Sequence, residues 1–411
     1  MSETRLLELL SRREGELLEF TRELIATPSV NPPGDERAAA ALVRERLFSL
    51  GVEDVEQVGA EETRPNLIAR VPGSGSGPTL ILSGHLDTKP PGDLELWRTD
   101  PWDPVIRDGE LHGLGSGDMK AAVAAMVYAA GVLREVGLPT GTLELVLTAD
   151  EEAGSELGSR WLAESGLLRA DAAVIGEPCG VVREWEAIDL VSRGAALFKV
   201  RVRGTQLHSS ISDRLPVVNA TVMMARLIDR MHRELKSALT YGEHPLGGLG
   251  PTVNVGVMAQ AGVYYGVYPG SAEFACDVRT LPGMTREQVE ADLQAFLERA
   301  MAEEPGLDAE LVFEMWAPAT EISPDEPIVG ALQAAAAVVL DEQPELAAFP
   351  GATDAAYFQL TAGIPTVAAF GPGFLSRAHS PNESLPARAV LEAAKLYALA
   401  AWDYLGPNAS S

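Results

Sequence analysis

The sequence predicts an α/β protein in which a mostly parallel, doubly wound sheet is interrupted by an inserted ferredoxin-like α+β unit. From about residue 50 to residue 194, short apolar runs alternate with helical patterns, which is typical of a parallel sheet covered on both faces. Residues 195–316 follow the order β-α-β-β-α-β, and the α/β pattern then resumes. We therefore expect one domain formed by residues 1–194 and 317–411, and a second formed by residues 195–316.

The first domain is predicted to begin with a helix that ends before Pro28 and a loop rich in proline and glycine at residues 29–34. Its predicted helices are residues 6–25, 36–50, 120–136, 328–340, 354–361 and 387–404. Its sheet strands are apolar runs at residues 79–83, 143–148, 172–175 and 366–370. Each run leads into a polar residue or the loop that carries one. Because open α/β sheets bind ligands at the carboxyl edge of their strands, we expect the functional site at that edge.

The inserted unit is predicted from its own element pattern. Its strands are expected at residues 196–202, 252–258, 272–278 and 309–315. Its helices are expected at residues 217–235 and 286–302, which places one helix between the first two strands and one before the last.

The composition limits the class of protein and its partners. A chain of 411 residues is too long for one ordinary core, so two domains are expected. Lys and Arg number 32 against 59 Asp and Glu, and the resulting net charge of −27 argues against nucleic acid or an anionic membrane as a partner. A well-solvated acidic surface explains this charge without any functional meaning, and salt adaptation or a basic substrate are the alternatives.

The cysteines and the N-terminus predict a cytoplasmic protein. Only Cys179 and Cys276 occur, which cannot form a disulfide framework and indicate a reducing compartment. Residues 1–20 mix acidic and basic side chains among leucines and lack the apolar core of a signal peptide. No apolar run approaches the length of a membrane span.

Histidine and carboxylate residues stand where predicted strands end, and these are donor types that divalent metals bind. His85 and Asp87 follow the strand at residues 79–83. Because they are two residues apart on an extended chain, their side chains share a face, and the Asp87 carboxylate can fix the tautomer of the imidazole. Taken alone, a histidine after a strand is more often structural than a metal ligand.

Four further acidic residues fit a metal centre. Asp118 follows a glycine-rich stretch whose sharp bends would let its carboxylate reach two cations, although a helix N-cap is the alternative. Asp150, Glu151 and Glu152 stand in a row at a strand end, where their repulsion costs free energy unless cations compensate. Glu151 and Glu152 point in different directions, so one can bind metal while the other acts as general base. A solvated acidic loop is the alternative.

Glu177 and His379 complete the candidate set. Glu177 follows the strand at residues 172–175, and His379 lies in a loop after the last predicted strand, where it supplies a second nitrogen donor. Each of the two is a weak signal by itself, and a surface-loop histidine is the alternative for His379. The joint occurrence of all these residues at strand ends predicts a dinuclear metal centre.

With these residues in place, the chain resembles the dinuclear zinc amidohydrolases and peptidases that include acetylornithine deacetylase, succinyl-diaminopimelate desuccinylase, aminoacylase and glutamate carboxypeptidase. The resemblance spans nearly the whole chain. It rests on residues 28–32, 83–87, 117–120, 148–152, 176–178, 208–210, 277–279, 353–355 and 378–383.

The resemblance implies two Zn²⁺ ions per subunit, for which Co²⁺ or Mn²⁺ are possible substitutes. By this likeness, His85, Asp118 and Glu177 hold one ion. Asp118, Glu152 and His379 hold the other, so Asp118 bridges both.

The resemblance also implies roles for residues that do not bind metal. Glu151 is the general base and acid, and Asp87 orients His85. Arg279 binds a substrate carboxylate, which suits a bidentate guanidinium. The inserted unit is implied to be a lid that mediates homodimerisation, and His208 to reach from the partner's lid to the substrate carbonyl.

The activity implied is hydrolysis of the amide bond of an N-acyl amino acid or a related small amide. Glu177 and residues 28–32 favour the deacetylase and desuccinylase branch, because many peptidase members have Asp at the position of Glu177. A dipeptidase or carboxypeptidase on the same scaffold is one alternative, and a non-catalytic binding protein is another. Glu151 beside a complete set of metal ligands argues against the binding protein, which would need no base.

Overall fold

The computed structural model describes residues 2–406, so residue 1 and residues 407–411 of the predicted domain segments lie outside the described residues. The chain divides into two compact units. The first consists of Met1–Val191, Glu321–Phe349 and Thr353–Ser411, and the second of Ser192–Thr320 and Pro350–Ala352. The α/β class predicted from the sequence is confirmed.

The first unit contains a six-stranded mixed sheet. Its strands, in spatial order, are Asp54–Val58, Asn66–Pro72, Thr140–Thr148, Gly75–His85, Ala172–Ile175 and Thr366–Val367. The pairings between the last four strands are parallel, whereas the first two strands join by antiparallel pairings. Strands Gly75–His85, Thr140–Thr148 and Ala172–Ile175 therefore end at one edge, with His85 directly opposite Thr148.

The helices of the first unit are Ser2–Arg12, Glu14–Ile25, Arg37–Ser49, Ala121–Val136, Ser159–Glu164, Pro327–Val339 and Ala387–Tyr404. Single turns occur at Leu94–Leu96, Ser116–Lys120, Glu151–Ala153 and Tyr357–Thr361. Short strands occur at Val105–Arg107, Glu110–His112, Pro178–Gly180, Ala187–Ser192, Thr320–Glu321, Glu345–Phe349, Gly371–Phe374 and Ser384–Pro386. No helix within residues 2–406 is both long enough and apolar enough to span a membrane.

Alternation along the strands explains why both faces of the sheet are covered. Leu80 and Leu82 point into the core that includes helices Ala121–Val136 and Ala387–Tyr404, whereas Ile81 points into a smaller cluster with Phe358. Helix Ala121–Val136 is buried along residues 121–133, which explains its alanine-rich sequence, because small side chains allow close packing on all sides.

Three predicted elements differ from the structure. The helix expected at residues 354–361 is a single turn at Tyr357–Thr361. The helix expected at residues 6–25 is two helices that meet at Arg13. Gly15, two residues later, is a weak helix former in the first turn of the second helix. The strand expected at residues 366–370 ends at Val367, because the backbone of Ala368 and Ala369 bonds to Asp189.

The second unit has a four-stranded antiparallel sheet with the predicted β-α-β-β-α-β chain order. Its main elements are Gly194–Arg203, Ala220–Ala238, Thr252–Ala261, Ser271–Thr280, Arg286–Glu303 and Asp308–Ala317. The spatial order of the strands is second, third, first and fourth, which is that of a ferredoxin-like unit. A separate ladder joins Leu207–His208 to Val267–Tyr268, and Ser209–Ile211 forms one turn. The two helices pack through Met231 and Phe296 against buried strand residues such as Phe274.

Two glycines within helices offer a matched test of packing. A Cβ atom on Gly131 would lie 2.8 Å from Leu50 Cβ, whereas a Cβ on Gly330 would meet nothing within 4 Å. We expect Gly330→Ala to raise the free energy of unfolding by about 0.5–1 kcal/mol through helix propensity. Gly131→Ala should lower it by about 1–3 kcal/mol because the new methyl group overpacks the core. Urea unfolding followed by circular dichroism measures both, and equal stabilisation by the two substitutions would contradict this packing argument.

Candidate active site

Four candidate residues lie at the carboxyl edge of the parallel strands. His85 is the last residue of strand Gly75–His85, and Glu151 and Glu152 form the turn that follows strand Thr140–Thr148. Glu177 follows strand Ala172–Ile175 by two residues. Hydrogen-bonded neighbouring strands therefore bring these side chains to one edge of the sheet, although 92 residues separate His85 from Glu177 in the chain.

Asp118 reaches the same edge from a tight turn before helix Ala121–Val136. Gly115 in this turn has a φ of +76°, a conformation that favours glycine. The buried carboxylate of Glu383 accepts hydrogen bonds from the backbone N–H groups of Gly115, Gly117 and Asp118 at 3.0, 2.8 and 3.1 Å. Glu383 thus fixes the turn that carries Asp118. Because it lies four residues after His379, it also ties that loop to the turn.

The first group of potential ligands is fully buried. His85 Nε2 lies 2.9 Å from Asp118 Oδ1 and 3.4 Å from Glu177 Oε1. One ligand atom from each of the three residues lies within 4.8 Å of the others, close enough to surround one cation.

The second group shares Asp118 with the first. His379 Nε2 lies 3.0 Å from Asp118 Oδ2 and 3.2 Å from Glu152 Oε2. The two carboxylate oxygens of Asp118 therefore face different histidines, as a bridging ligand requires. His379 is the most exposed member, with 48% of its side chain accessible, whereas Glu152 is buried.

The electrostatics of the cluster favour bound cations. Burial raises the pKa of Glu177 to about 7 and holds the pKa of Glu151 well above its usual range. Hydrogen bonds with Asp118 and Glu152 raise the pKa of His379 to about 10. In the absence of a metal, retained protons would offset the crowded carboxylates, and divalent cations can take that place. The mixture of imidazole nitrogen and carboxylate oxygen fits zinc and related metals.

Asp87 contacts both His85 and the turn that carries the two glutamates. Its backbone carbonyl lies 3.0 Å from His85 Nδ1, whereas its carboxylate Oδ1 lies 3.6 Å from that nitrogen. The carboxylate instead accepts hydrogen bonds from the backbone N–H groups of Glu151 and Glu152 at 3.2 and 3.1 Å. Asp87 therefore holds the turn that carries the two glutamates, and its backbone is the closer partner of His85.

A buried ion-pair network behind the site was not predicted from the sequence. Arg64 donates to both carboxylate oxygens of Glu36, at 2.7 and 2.9 Å, and to Asp150 Oδ1 at 2.9 Å. Asn31 Nδ2 bridges Asp150 Oδ1 and Asp87 Oδ2 at 3.1 and 2.8 Å. The network pairs Asp150, the first of the three consecutive acids, with Arg64 and Asn31, and its other carboxylate oxygen accepts from the backbone N–H of Leu157. Asn31 belongs to the Pro-Ser-Val-Asn-Pro segment, which was the only available signal for it.

Asp354 binds the segment that follows the Glu151–Ala153 turn. Its buried carboxylate accepts hydrogen bonds from the hydroxyl groups of Ser155 and Ser159 at 2.5 and 2.6 Å. The Thr-Asp-Ala segment at residues 353–355 pointed to this region, but the serine donors have no sequence signal of their own.

His208 and Arg279 belong to the second unit. His208 is exposed, and its Nδ1 lies 2.8 Å from Ser210 Oγ. Arg279 lies on strand Ser271–Thr280 and is about one-third exposed, and its Nη2 donates to Asp277 Oδ2 at 2.9 Å. Part of its donor capacity is therefore occupied by a neighbouring carboxylate.

Comparisons with known proteins agree with this architecture. The sequence model of peptidase family M20/M25/M40 matches residues 81–403. A succinyl-diaminopimelate desuccinylase from Xanthomonas euvesicatoria pv. vesicatoria is 34% identical over 291 residues, which cover 69% of this chain and 73% of that protein.

Two solved structures show the same fold. Human carnosine dipeptidase 1 superimposes with a TM-score of 0.73 at 19% identity and 98% coverage of each chain. The Bacillus subtilis YXEP protein, described as a dinuclear metal-binding peptidase of the M20 family, gives a TM-score of 0.66 at 18% identity, covering 96% of this chain and 99% of that one. The extent of the family match, together with the desuccinylase relative, shows that this chain belongs to peptidase family M20/M25/M40 and is a hydrolase of amide bonds.

Proposed function

We propose that the protein removes the acyl group from an N-acyl amino acid or a related small amide, using two zinc ions. His85, Asp118 and Glu177 would hold one ion, and Asp118, Glu152 and His379 the other. The observation that carries this proposal is the placement of Asp118, whose two oxygens lie 2.9 and 3.0 Å from two different histidines. Co²⁺ or Mn²⁺ could serve in place of zinc, because they accept the same donors.

The bound cations would polarise the amide carbonyl and make a water molecule a stronger acid. Glu151 would accept the proton of that water and return it to the leaving amine. Within residues 2–406 the Glu151 carboxylate makes no ion pair, and its backbone N–H is held by Asp87, so the side chain is free for proton transfer. Burial raises its pKa, which favours a group that takes up a proton during the reaction.

The desuccinylase relative supports a deacylase. A dipeptidase is the alternative, since carnosine dipeptidase 1 shares the fold at 19% identity. Turnover of N-acetyl and N-succinyl amino acids compared with that of unblocked dipeptides distinguishes the two. Faster turnover of the dipeptides would contradict the proposed substrate class.

Glu151→Gln tests whether Glu151 is a base or a ligand. We expect the variant to retain two metal ions but to lose about 10²–10⁴-fold in kcat, because general acid–base catalysis contributes about that much. Metal content by mass spectrometry and kcat are measured on the same sample. Glu156→Gln, an exposed glutamate in the following loop, is the matched control and should change neither value. Loss of metal from Glu151→Gln would make Glu151 a ligand.

Arg279 is proposed to bind the carboxylate of the substrate. A desolvated, charge-assisted pair of this kind contributes about 2–5 kcal/mol, so the wild type should prefer a free-acid substrate over its amide by about 30-fold or more in kcat/KM. Arg279→Ala should abolish that preference. Arg279→Lys keeps a partner for Asp277 and should retain part of the preference. Equal turnover of acid and amide by the wild type would show that the assignment is wrong.

We also propose a cytoplasmic homodimer that forms through the second unit. Strand Thr252–Ala261 lies at the edge of its sheet, and Val257 and Met258 on this strand are 53% and 63% exposed. Tyr264 and Tyr265 follow at 78% and 93% exposure. An exposed apolar edge strand invites pairing, and a second copy would cover it. Both cysteines are free thiols, which suits a reducing compartment.

In this dimer, His208 is proposed to serve the active site of the partner. Chains with Glu151→Gln and with His208→Ala should each be nearly inactive. After subunit exchange, however, a mixed dimer has one site with both defects and one with neither. Half of randomly assorted dimers are mixed, so about a quarter of wild-type activity should return.

The matched control for this experiment mixes Glu151→Gln with Glu177→Gln. Both residues are proposed to act within one chain, so each site of the mixed dimer keeps a defect and activity should stay low. If His208 also acts within its own chain, the mixture of the Glu151→Gln and His208→Ala chains will stay as inactive as the control mixture. This comparison requires that subunit exchange has been verified.

A further inference from the structure

Lys89 lies beside the proposed second metal site and has no part in the function proposed above. It follows His85 by four residues and Asp87 by two. Its backbone N–H donates to Glu152 Oε1 at 3.2 Å, and its Nζ lies 3.2 Å from Glu152 Oε2. The ammonium group also donates to the backbone carbonyl of Glu152. One lysine therefore contacts both carboxylate oxygens of a proposed metal ligand.

The two proposed sites differ in this respect. Within residues 2–406, no lysine or arginine nitrogen lies within 4.0 Å of a carboxylate oxygen of Glu177, whose ion-pair contact is with His85. Asp118 likewise pairs with His85 and His379 alone in that part of the chain. Glu152 is the one carboxylate of the two groups that pairs with a lysine or arginine in that part of the chain.

We infer that Lys89 competes with the cation for Glu152, and so weakens the Asp118–Glu152–His379 site relative to the His85–Asp118–Glu177 site. This inference rests on the proposed dinuclear centre. A divalent ion on Glu152 would lie within a few ångströms of the Lys89 ammonium group, and the two positive charges would repel each other. The side chain of Lys89 is 35% exposed, so the ammonium group can move towards solvent when the ion binds. The competition lowers the affinity of the site without closing it.

The Lys89–Glu152 ion pair also stabilises the metal-free form of the second site. The Glu152 carboxylate is only 3% exposed, and a buried carboxylate without a positive partner is costly. Lys89 and His379 both lie 3.2 Å from Glu152 Oε2, and Lys89 is the partner that a bound cation would displace. Metal loading of the second site is thus an exchange of one positive group for another.

Metal titration of the full-length protein tests this exchange without relying on activity. Metal-free wild type, Lys89→Met and Lys89→Arg are titrated with Zn²⁺ against a chromophoric chelator, and stepwise dissociation constants are fitted. We expect Lys89→Met to bind the second ion at least about tenfold more tightly, with the first constant unchanged. Lys89→Arg keeps the charge and should resemble the wild type. Lys395→Met removes a partly exposed lysine from helix Ala387–Tyr404 and is the matched control.

The same substitution in a Glu152→Gln chain tests whether Lys89 acts through Glu152. In Glu152→Gln, which removes the proposed partner of Lys89, Lys89→Met should no longer change the affinity for the remaining ion. Lys89→Gln repeats the test in case methionine disturbs folding, as judged by circular dichroism. The inference would be overturned if the wild type binds two ions and neither Lys89→Met nor Lys89→Gln changes the dissociation constant of the second ion. The proposed dinuclear centre would then still stand. Failure of wild type and neutral variants alike to bind a second ion would overturn both.

Discussion

The concentration of negative charge at one edge of the sheet is the constraint on which the site depends. Asp87, Asp118, Glu152, Glu177 and Asp354 are all less than 8% exposed, and they lie at or beside the ends of three neighbouring strands. Burying one unpaired carboxylate is costly, and several together repel each other as well. Such an arrangement persists only if each carboxylate has a positive or hydrogen-bonding partner.

The partners separate the carboxylates into two kinds. Asp87, Glu383 and Asp354 each accept two or more hydrogen bonds from backbone N–H groups or hydroxyl groups. These donors engage both oxygens of each carboxylate, so these residues fix the turns of the site. Asp118 and Glu177 have only histidine partners within residues 2–406, and histidine is itself a metal ligand. Asp118 and Glu177 are therefore well placed to bind cations, whereas Glu152 differs from them because it also pairs with Lys89.

The sequence predicted the parts of this arrangement that depend on local pattern. Apolar runs marked the strands, and the residues at their ends were named because carboxyl edges of neighbouring parallel strands meet. The contacts of Asp87 could not be predicted, because they join it to backbone groups about 64 residues away whose orientation depends on a turn. Arg64 and Glu36 were missed for a similar reason. Their pairing depends on the loop at residues 29–34, which packs closely against the Arg64 guanidinium. A Cβ atom on Gly34 of this loop would lie 2.3 Å from Arg64 Cζ.

The residues with proposed roles are divided between the two units. The proposed metal ligands, Glu151 and their supporting network belong to the first unit, whereas Arg279 and His208 belong to the second. Replacing one member of the buried network would leave a charged partner unpaired, so the first unit tolerates little change. Arg279 and His208 are partly or largely exposed, and substitutions there have no such cost to folding. Under the roles proposed for Arg279 and His208, substitutions that alter substrate recognition would therefore leave the buried network intact.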